Sequence, residues 1–276
     1  MSEEKIKAAL VFLTAVFAIV FCLGPFIYMT VVSLSSEPDF LSGQGSFAAS
    51  LDNYRIILTV ESLHFLDFLR NSMVISLVTA FVTVFIAGLA AYAVTRIPLR
   101  GKSIILIVVV AISMFPQISL VSYLFRLMTS LGWLNTYQGL ILPYIAWALP
   151  LSVWILASYF SQIPVDLDNA ARVDGCTRWQ ALHKIILPVA APGLFSTLIL
   201  VFIFCFNEFL FALMLTSDHQ ARTIPVGIAL FQGMHGEIPW GTIMAASIVT
   251  TMPIVIITII FQRRIITGLT HGAIKG

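Results

Sequence analysis

The sequence predicts an all-α, polytopic membrane protein with six transmembrane helices. Of the 276 residues, 59% are hydrophobic and only 10% are charged, whereas about 25% of the residues in an average soluble domain are charged. A soluble fold of this length cannot bury so much apolar surface, so the lipid bilayer must solvate most of the chain. Lipid offers the backbone no hydrogen-bond partners, and the spans are therefore expected to be helices.

Six long stretches with almost no charged residues mark the spans. Each is long enough for the roughly 20 residues that cross the hydrocarbon core. We place the spans at about residues 8–32, 71–95, 103–125, 137–161, 189–215 and 240–262, all in one predicted domain that covers residues 1–276. The first apolar run is too long for the core of a signal peptide, so we expect a retained helix.

Basic residues set the expected orientation. An even number of spans puts both termini on the same side of the membrane. Of the 15 Lys and Arg residues, only Arg55, Arg70, Arg126 and Arg222 fall on the opposite side, which leaves 11 on the side of the termini. The positive-inside rule therefore predicts that both termini are cytoplasmic. No basic cluster with interleaved aromatic residues lies in a polar segment, so nucleic-acid binding is not expected.

One polar segment interrupts this apolar chain between the fourth and fifth predicted spans. Residues 166–188, DLDNAARVDGCTRWQALHKIILP, include six charged side chains. Asp166 can cap a short helix, which Asp174-Gly175 ends because Gly tolerates the left-handed conformation. Thr177 and Gln180 have capping-box spacing and predict the start of a second short helix. The apolar contacts between the two helices are assigned to Ala170, Ala171, Trp179 and Leu182.

A helix–turn–helix of this kind has two interpretations. It is suited to docking into a groove on another protein. Alternatively, it is an amphipathic linker that lies on the bilayer surface.

The spacing within the segment resembles the EAA loop of ABC-importer permeases. The family pattern reads Glu-Ala-Ala, three residues, Gly, nine residues, Ile, one residue and Leu-Pro, and residues 169–188 match this spacing throughout. Asn169 stands where the family has its acidic residue, and we consider Asp168, beside it, as a substitute. The resemblance implies the type I ABC-importer permease fold, with a cytoplasmic coupling-helix loop at residues 162–188 (the coupling loop) and a cytoplasmic tail at residues 263–276.

The resemblance also implies which residues of the coupling loop serve the ATPase subunits. The residues expected to contact them or to shape the contact are Asp168, Asn169, Ala170, Ala171, Asp174, Gly175, Thr177, Trp179, Leu187 and Pro188.

Further stretches are similar to the MalG-like carbohydrate permeases. Asn207-Glu208 resembles a pair common in sugar-importer permeases, and the ending FQRRIITGLTHGAIKG at 261–276 is similar to the tails of that group. MFPQISLV at 114–121 and GLILPY at 139–144 look most like mycobacterial trehalose-importer permeases of the SugB type. The implied cargo is a disaccharide, with trehalose expected and maltose, another oligosaccharide or glycerol phosphate as alternatives.

The family further implies an assembly in the bacterial cytoplasmic membrane. Its expected parts are a second permease that forms a heterodimer with this chain, two ATP-binding subunits docked on the coupling loop, an extracytoplasmic sugar-binding protein and the surrounding lipid. ATP and Mg²⁺ belong to the ATPase subunits, so no cofactor and no metal ion are expected on this chain. Gly101-Lys102-Ser103 is not a P-loop, because Arg96 occupies the place of the required glycine and no strand is predicted before it.

Four polar residues are candidates for the sugar path: Asn207, Glu208, Gln117 and Ser113. Glu208 is the only acidic residue well inside a predicted span, where an ionisable group is costly and often functional. Ser113 and Gln117 are four residues apart and are expected to share a helix face. The alternative is that these polar groups only bond neighbouring helices and fix their packing.

Two other classes of function are disfavoured. A secondary transporter is expected to have several intramembrane charges and internal half-repeats, but only Glu208 is present. A membrane-embedded enzyme needs a nucleophile, a base or a metal cluster at one depth, and we assign no catalytic residue. We therefore predict a permease subunit whose ATP hydrolysis is done by a partner.

Overall fold

The computed structural model describes residues 3–35, 49–98, 100–231 and 239–270. The last part of the predicted tail, residues 271–276, and parts of two predicted external loops, residues 36–48 and 232–238, lie outside the described residues. Twelve α-helices occur in the described part: α1 (Glu3–Ser33), α2 (Asp52–Thr59), α3 (Phe65–Arg96), α4 (Lys102–Ser113), α5 (Gln117–Leu131), α6 (Tyr137–Ser161), α7 (Asp166–Val173), α8 (Arg178–Ala181), α9 (Leu187–Phe206), α10 (Leu210–Leu215), α11 (Ile224–Ala229) and α12 (Trp240–Thr270). A 3-10 turn covers Glu61–Leu63, and a π-helical turn covers Leu182–Ile186.

The predicted all-α, multi-pass fold is confirmed. Within the described residues, five helical stretches are long and apolar enough to cross a membrane, or six if one bent pair counts as a single span. The five are Ala9–Ser33, Glu61–Arg96, Tyr137–Ser161, Arg178–Phe206 and Trp240–Gln262, and the bent pair is Lys102–Ser113 with Gln117–Leu131.

The third predicted span, residues 103–125, is divided into two helices. Its two halves, α4 and α5, meet at an angle of 83°. Pro116 precedes α5 with an extended backbone, and a proline disfavours helical geometry in the residue before it, here Phe115. Proline also lacks the N–H that would continue the helical hydrogen bonds, so the break falls at this position.

The fifth span also differs from the prediction of one helix over residues 189–215. It begins earlier, at Arg178, because α8, the π-helical turn and α9 form one continuous helical stretch. Pro188 cannot donate to the carbonyl of Lys184, and the wider π-helical turn lies directly before it. The span then breaks at residues 207–209 before α10 begins. Consequently, the second helix of the polar segment is the first part of a membrane helix and not a separate short helix.

Internal contacts group the chain into two compact units. One comprises Met1–Leu66 and Ile228–Met252, and the other comprises Asp67–Gly227 and Pro253–Gly276. The single domain over residues 1–276 stays a prediction. All the candidate functional residues lie in the second unit.

In the first unit, Asn53 of α2 connects three segments. Its side-chain amide donates to the carbonyl oxygens of Ser33 and Ser35 at 3.0 and 2.8 Å, at the end of α1. Its amide oxygen accepts a hydrogen bond from the Thr242 hydroxyl at 3.3 Å, in the first turn of α12. A single asparagine therefore satisfies backbone carbonyls that the last turn of α1 leaves unpaired.

In the second unit, α6 and α9 pack closely at a glycine. A Cβ atom added to Gly193 in α9 would lie 2.6 Å from Cγ of Tyr159 in α6. Cγ is held close to the backbone and cannot swing away as the end of a flexible side chain could. The absence of a side chain at Gly193 therefore sets the spacing of these two helices.

We expect Gly193→Ala to push α6 and α9 apart and to lower the free energy of unfolding by about 1–3 kcal/mol, the usual penalty of overpacking. Thermal unfolding of the purified protein in detergent measures this. Gly88→Ala in α3 is the matched control, because its Cβ meets Leu194 at an ordinary 3.5 Å. Equal unfolding temperatures for the two variants would contradict the close packing.

Candidate functional site

The coupling loop turns at a glycine, as predicted. Gly175 follows α7 with a φ of +86°, in the left-handed region. Its N–H donates to the carbonyl of Arg172 at 3.1 Å, and the N–H of Cys176 donates to that of Ala171 at 2.9 Å. A Cβ atom at Gly175 would meet nothing within 4 Å. Glycine is needed here for its backbone conformation and not for lack of space.

The predicted capping box is confirmed directly after this turn. The backbone N–H of Gln180 donates to the Thr177 hydroxyl at 3.3 Å, and the N–H of Thr177 donates to the Gln180 side chain at 2.8 Å. Two backbone donors at the start of α8 are thereby satisfied. The turn and the helix start thus follow from local sequence alone.

The coupling loop has an inner face that packs against the rest of the unit. Ala171 in α7 is buried, as are Ala181, Leu182 and Ile186 in the following helix. α7 packs against α8 and the π-helical turn. The small side chains of the two alanines let the helices approach closely.

The outer face of the coupling loop is exposed. Trp179 leaves 60% of its surface exposed and Val173 leaves 88%, so the expectation that Trp179 packs between the two helices is wrong. Ala170 is likewise exposed and not between them. The other predicted docking residues on this face are Asn169, Asp174, Gly175 and Thr177, all exposed. Leu187 is half-buried and Pro188 exposed at the start of α9.

Asp168 points the other way. It is buried at 8% exposure, and its Oδ2 lies 3.1 Å from Nε of Arg96, a close ion pair without a formed hydrogen bond. The Tyr92 hydroxyl donates to its Oδ1 at 3.1 Å. A carboxylate already held inside the unit cannot present itself to a partner, which argues against Asp168 as a substitute for the family's acidic residue. Asn169 occupies that exposed position as a neutral side chain.

Sequence reasoning missed Tyr92 and Arg96 as parts of this site. The sequence analysis used Arg96 as a positive charge on the side of the termini and to exclude a P-loop, and not as a contact of the coupling loop. The available signal was spacing, because Tyr92 and Arg96 are four residues apart in the last turns of α3 and therefore share a face.

Glu208 lies in the break between α9 and α10. It is buried at 7% exposure, and its two carboxylate oxygens accept backbone hydrogen bonds from Phe211 at 3.0 Å and Ala212 at 3.2 Å. Both N–H groups belong to the first turn of α10, where a negative charge is favourable. The Gln117 amide donates to Oε1 at 3.4 Å. Glu208 therefore ties the start of α10 to the start of α5.

The structure brings Gln117 and Glu208 together but leaves the other two candidates apart. Asn207 is exposed, and its amide donates to the carbonyl of Ile203 in its own helix at 2.8 Å. Ser113 donates to Val110 in its own helix at 2.7 Å. The expectation that Ser113 and Gln117 share a helix face is wrong, because Ser113 ends α4 and Gln117 begins α5 on the other side of the bend.

A cavity of about 330 Å³ lies between α4, α5, α6 and α10. Ser113 is among its lining residues, together with Pro143 and Trp147 of α6 and Phe211 of α10. Trp147 and Phe211 meet edge to face with ring centroids 6.2 Å apart. The volume is at the lower end of the roughly 300–1,000 Å³ typical of small-molecule sites, and the lining is mainly apolar and aromatic.

At the other end of the unit, asparagines fix the loop after α10. Asn71 of α3 donates to the carbonyl oxygens of His219 and Arg222 at 2.9 and 3.0 Å, and the Asn135 amide donates to Asp218 at 2.7 Å. The N–H of Gln220 and then the Asn135 amide hold the pKa of Asp218 below its usual range. This contribution to stability is present above the carboxyl's unfolded pKa and is lost as pH falls through the folded pKa.

Bent and broken apolar helices that are long enough to cross a membrane are typical of a multi-pass membrane protein. Residues 83–271 match the family of binding-protein-dependent transport system inner membrane components. The chain belongs to this family, whose members are transport subunits and not enzymes.

Two relatives and one solved structure agree with this assignment. The trehalose/maltose transport system permease protein MalG of Thermococcus litoralis is 55% identical over 100% of both chains. The trehalose transport system permease protein SugB of Mycobacterium tuberculosis is 46% identical over 89% of this chain and 90% of that protein. A bacterial ABC transporter involved in alginate import superposes with a TM-score of 0.75 at 22% identity, covering 95% of this chain and 98% of that one. The predicted ABC-importer permease fold is confirmed.

Proposed function

We propose that this chain is the permease subunit of an ATP-driven ABC importer that takes up a disaccharide, with trehalose as the substrate. The observation that supports this most is the 55% identity, over the full length of both chains, to a permease named for trehalose and maltose transport. A second relative named for trehalose, 46% identical, points to the same sugar. Maltose is the alternative that the first relative's name suggests.

The proposed assembly pairs this chain with a second permease, two ATPase subunits and an external sugar-binding protein. Family membership supports the need for partners. The exposed outer face of the coupling loop, with Trp179 and Val173 at its surface, offers the ATPase an apolar contact. We place the coupling loop and both termini in the cytoplasm on the distribution of basic residues. ATP and Mg²⁺ are assigned to the partner, since Lys102 follows a helix and not the strand of a P-loop.

In the proposed mechanism, ATP-driven closure of the ATPase subunits displaces the coupling loop. ATP can shift the permease from inward-facing to outward-facing only through its different affinity for the two states. The loop is suited to this task because its second helix is continuous with the membrane helix Arg178–Phe206. Displacement of α8 therefore moves the start of a span directly.

We place part of the sugar path beside the cavity formed by α4, α5, α6 and α10. Trp147 offers an aromatic surface there, and Gln117 with Glu208 supplies polar groups at the start of α5 and α10. Both carboxylate oxygens of Glu208 accept hydrogen bonds from backbone amides. Its proposed contribution is to hold the break that positions Gln117 and Phe211, in addition to any direct contact with sugar.

The first test is reconstitution of the assembled transporter in liposomes with its binding protein. We expect trehalose with the binding protein to stimulate ATP hydrolysis more than maltose does and more than the binding protein alone. Stronger stimulation by maltose would reassign the sugar. Solute uptake by this chain alone, without any ATPase, would contradict the importer itself.

Glu208→Gln is expected to lower uptake while the complex still assembles. The neutral amide keeps an oxygen for one backbone N–H but turns a second acceptor into a donor, so one amide of α10 is left unpaired at a typical penalty of about 1–3 kcal/mol. Uptake and the yield of complex in the membrane are measured together. Loss of the complex would show that Glu208 serves only packing.

Gly175→Val is expected to uncouple ATP hydrolysis from uptake. A β-branched residue resists the left-handed conformation, which costs an L-residue about 1–2 kcal/mol, so the turn between α7 and α8 must change. Gly175→Asn is the matched control, because asparagine adopts this conformation more readily and the position is sterically open. Normal uptake per ATP in the valine variant would argue against docking through this turn.

A further inference from the structure

Arg96, the last residue of α3, joins three helices. Only 5% of its side chain is exposed. Its Nη2 donates to the carbonyl oxygen of Phe160 at 3.2 Å and to that of Ile163 at 2.7 Å, at the end of α6. Its Nε lies 3.1 Å from the carboxylate of Asp168 in α7. One guanidinium group therefore contacts the end of α6 and also α7, the two helices that flank the start of the coupling loop at residues 162–165.

The guanidinium group is suited to this position. The Phe160 carbonyl also accepts the N–H of Ile163 at 3.2 Å, and the Ile163 carbonyl lies two residues beyond α6. A cation is favoured at such a helix end. The planar fork of arginine donates in several fixed directions at once, which the single ammonium of lysine does not. Because both charges are buried, losing either one leaves the other uncompensated. Removing either charged group therefore weakens the whole set of contacts around Arg96.

Tyr92 reinforces the same connection from one turn earlier in α3. Its hydroxyl donates to Oδ1 of Asp168 at 3.1 Å and lies 3.5 Å from the carbonyl oxygen of Arg178, the first residue of α8. Tyr92 itself is buried. The end of α3 thus contacts α7 through two side chains and reaches the start of α8 as well.

We infer that this cluster, the Arg96 clamp (Tyr92, Arg96, Asp168 and the carbonyls of Phe160 and Ile163), transmits displacement of the coupling loop into α3 and α6. Without it, α7 is joined to α6 through residues 162–165 and to the span Arg178–Phe206 through the turn at Gly175 and the packing of Ala171. With it, a push on α7 moves the ends of three membrane helices together. Tyr92, Arg96 and Asp168 act as positioning residues and contact neither ATP nor sugar. The inference rests on the proposed function, since it describes how that importer is coupled.

The test is the ratio of sugar taken up to ATP hydrolysed in the reconstituted transporter. Asp168→Asn keeps the shape of the side chain and an acceptor for Tyr92 but removes the charge that pairs with Arg96. We expect ATP hydrolysis to persist while the ratio falls about tenfold, within the usual range for energetic coupling between sites. Arg96→Lys keeps the charge but not the planar fork. Its ratio of uptake to hydrolysis is expected to lie between those of Asp168→Asn and the wild type.

Asp67→Asn at the opposite end of α3 is the matched control. It makes the same chemical change in an ion pair with Arg70 that is 3.9 Å long and solvent-exposed, and such pairs contribute little. We expect its ratio to equal that of the wild type.

The outcomes separate the inference from the proposed function. If the wild type shows no ATP-dependent uptake, the proposed function fails. If the wild type transports and Asp168→Asn lowers uptake and hydrolysis in parallel, the clamp serves folding alone and the inference is overturned. If Asp168→Asn does not assemble, Tyr92→Phe is the second variant, because it removes only one hydroxyl. A lowered ratio of uptake to hydrolysis in Tyr92→Phe supports the clamp, and a wild-type ratio overturns it.

Discussion

The buried ion pair between Arg96 and Asp168 is the constraint on which the geometry of the coupling loop depends. Two opposite charges 3.1 Å apart attract strongly in a low-dielectric interior, but each must first leave water. Such a pair persists only where further hydrogen bonds satisfy both groups, and removing one partner typically destabilises a protein by about 3–5 kcal/mol. Here the carbonyls of Phe160 and Ile163 accept from Nη2 of Arg96, and Tyr92 donates to Oδ1 of Asp168. The loop's inner face is thereby fixed, and its outer face is left free for a partner.

The breaks in the membrane helices also depend on hydrogen bonds to buried polar groups. A break inside a span exposes backbone groups that lipid cannot satisfy, so each break needs its own partners. At residues 207–209, the Glu208 carboxylate accepts the free N–H groups of α10. Pro116, at the other break, has no N–H to satisfy. Gln117 connects the two breaks by donating to Glu208, and the cavity beside Trp147 and Phe211 opens next to this junction.

Sequence alone predicted several features that depend on local chemistry, although Asp166 begins α7 without capping it. Hydropathy indicated the long apolar stretches because a membrane span depends on apolar length and not on tertiary contacts. The turn at Gly175 and the capping box at Thr177 follow from neighbouring residues. It did not predict what depends on distant partners. Tyr92 and Asp168 are 76 residues apart and Gln117 and Glu208 are 91 apart, and no local pattern indicates that they meet. Pro116 permits a kink in the predicted third span, but proline is tolerated in many membrane helices, so its presence alone did not predict a bend of 83°.

In the proposed mechanism, the coupling loop moves as one body with the ends of α3 and α6. Structures of the assembled transporter, determined without nucleotide and with ATP bound, test this most directly through the separation of the Arg96 guanidinium and the Asp168 carboxylate. We predict that the two groups stay within ion-pair distance in both states while the coupling loop and the ends of α3 and α6 shift together. A state in which α7 moves away from α3 and the ion pair is broken would contradict this joint movement.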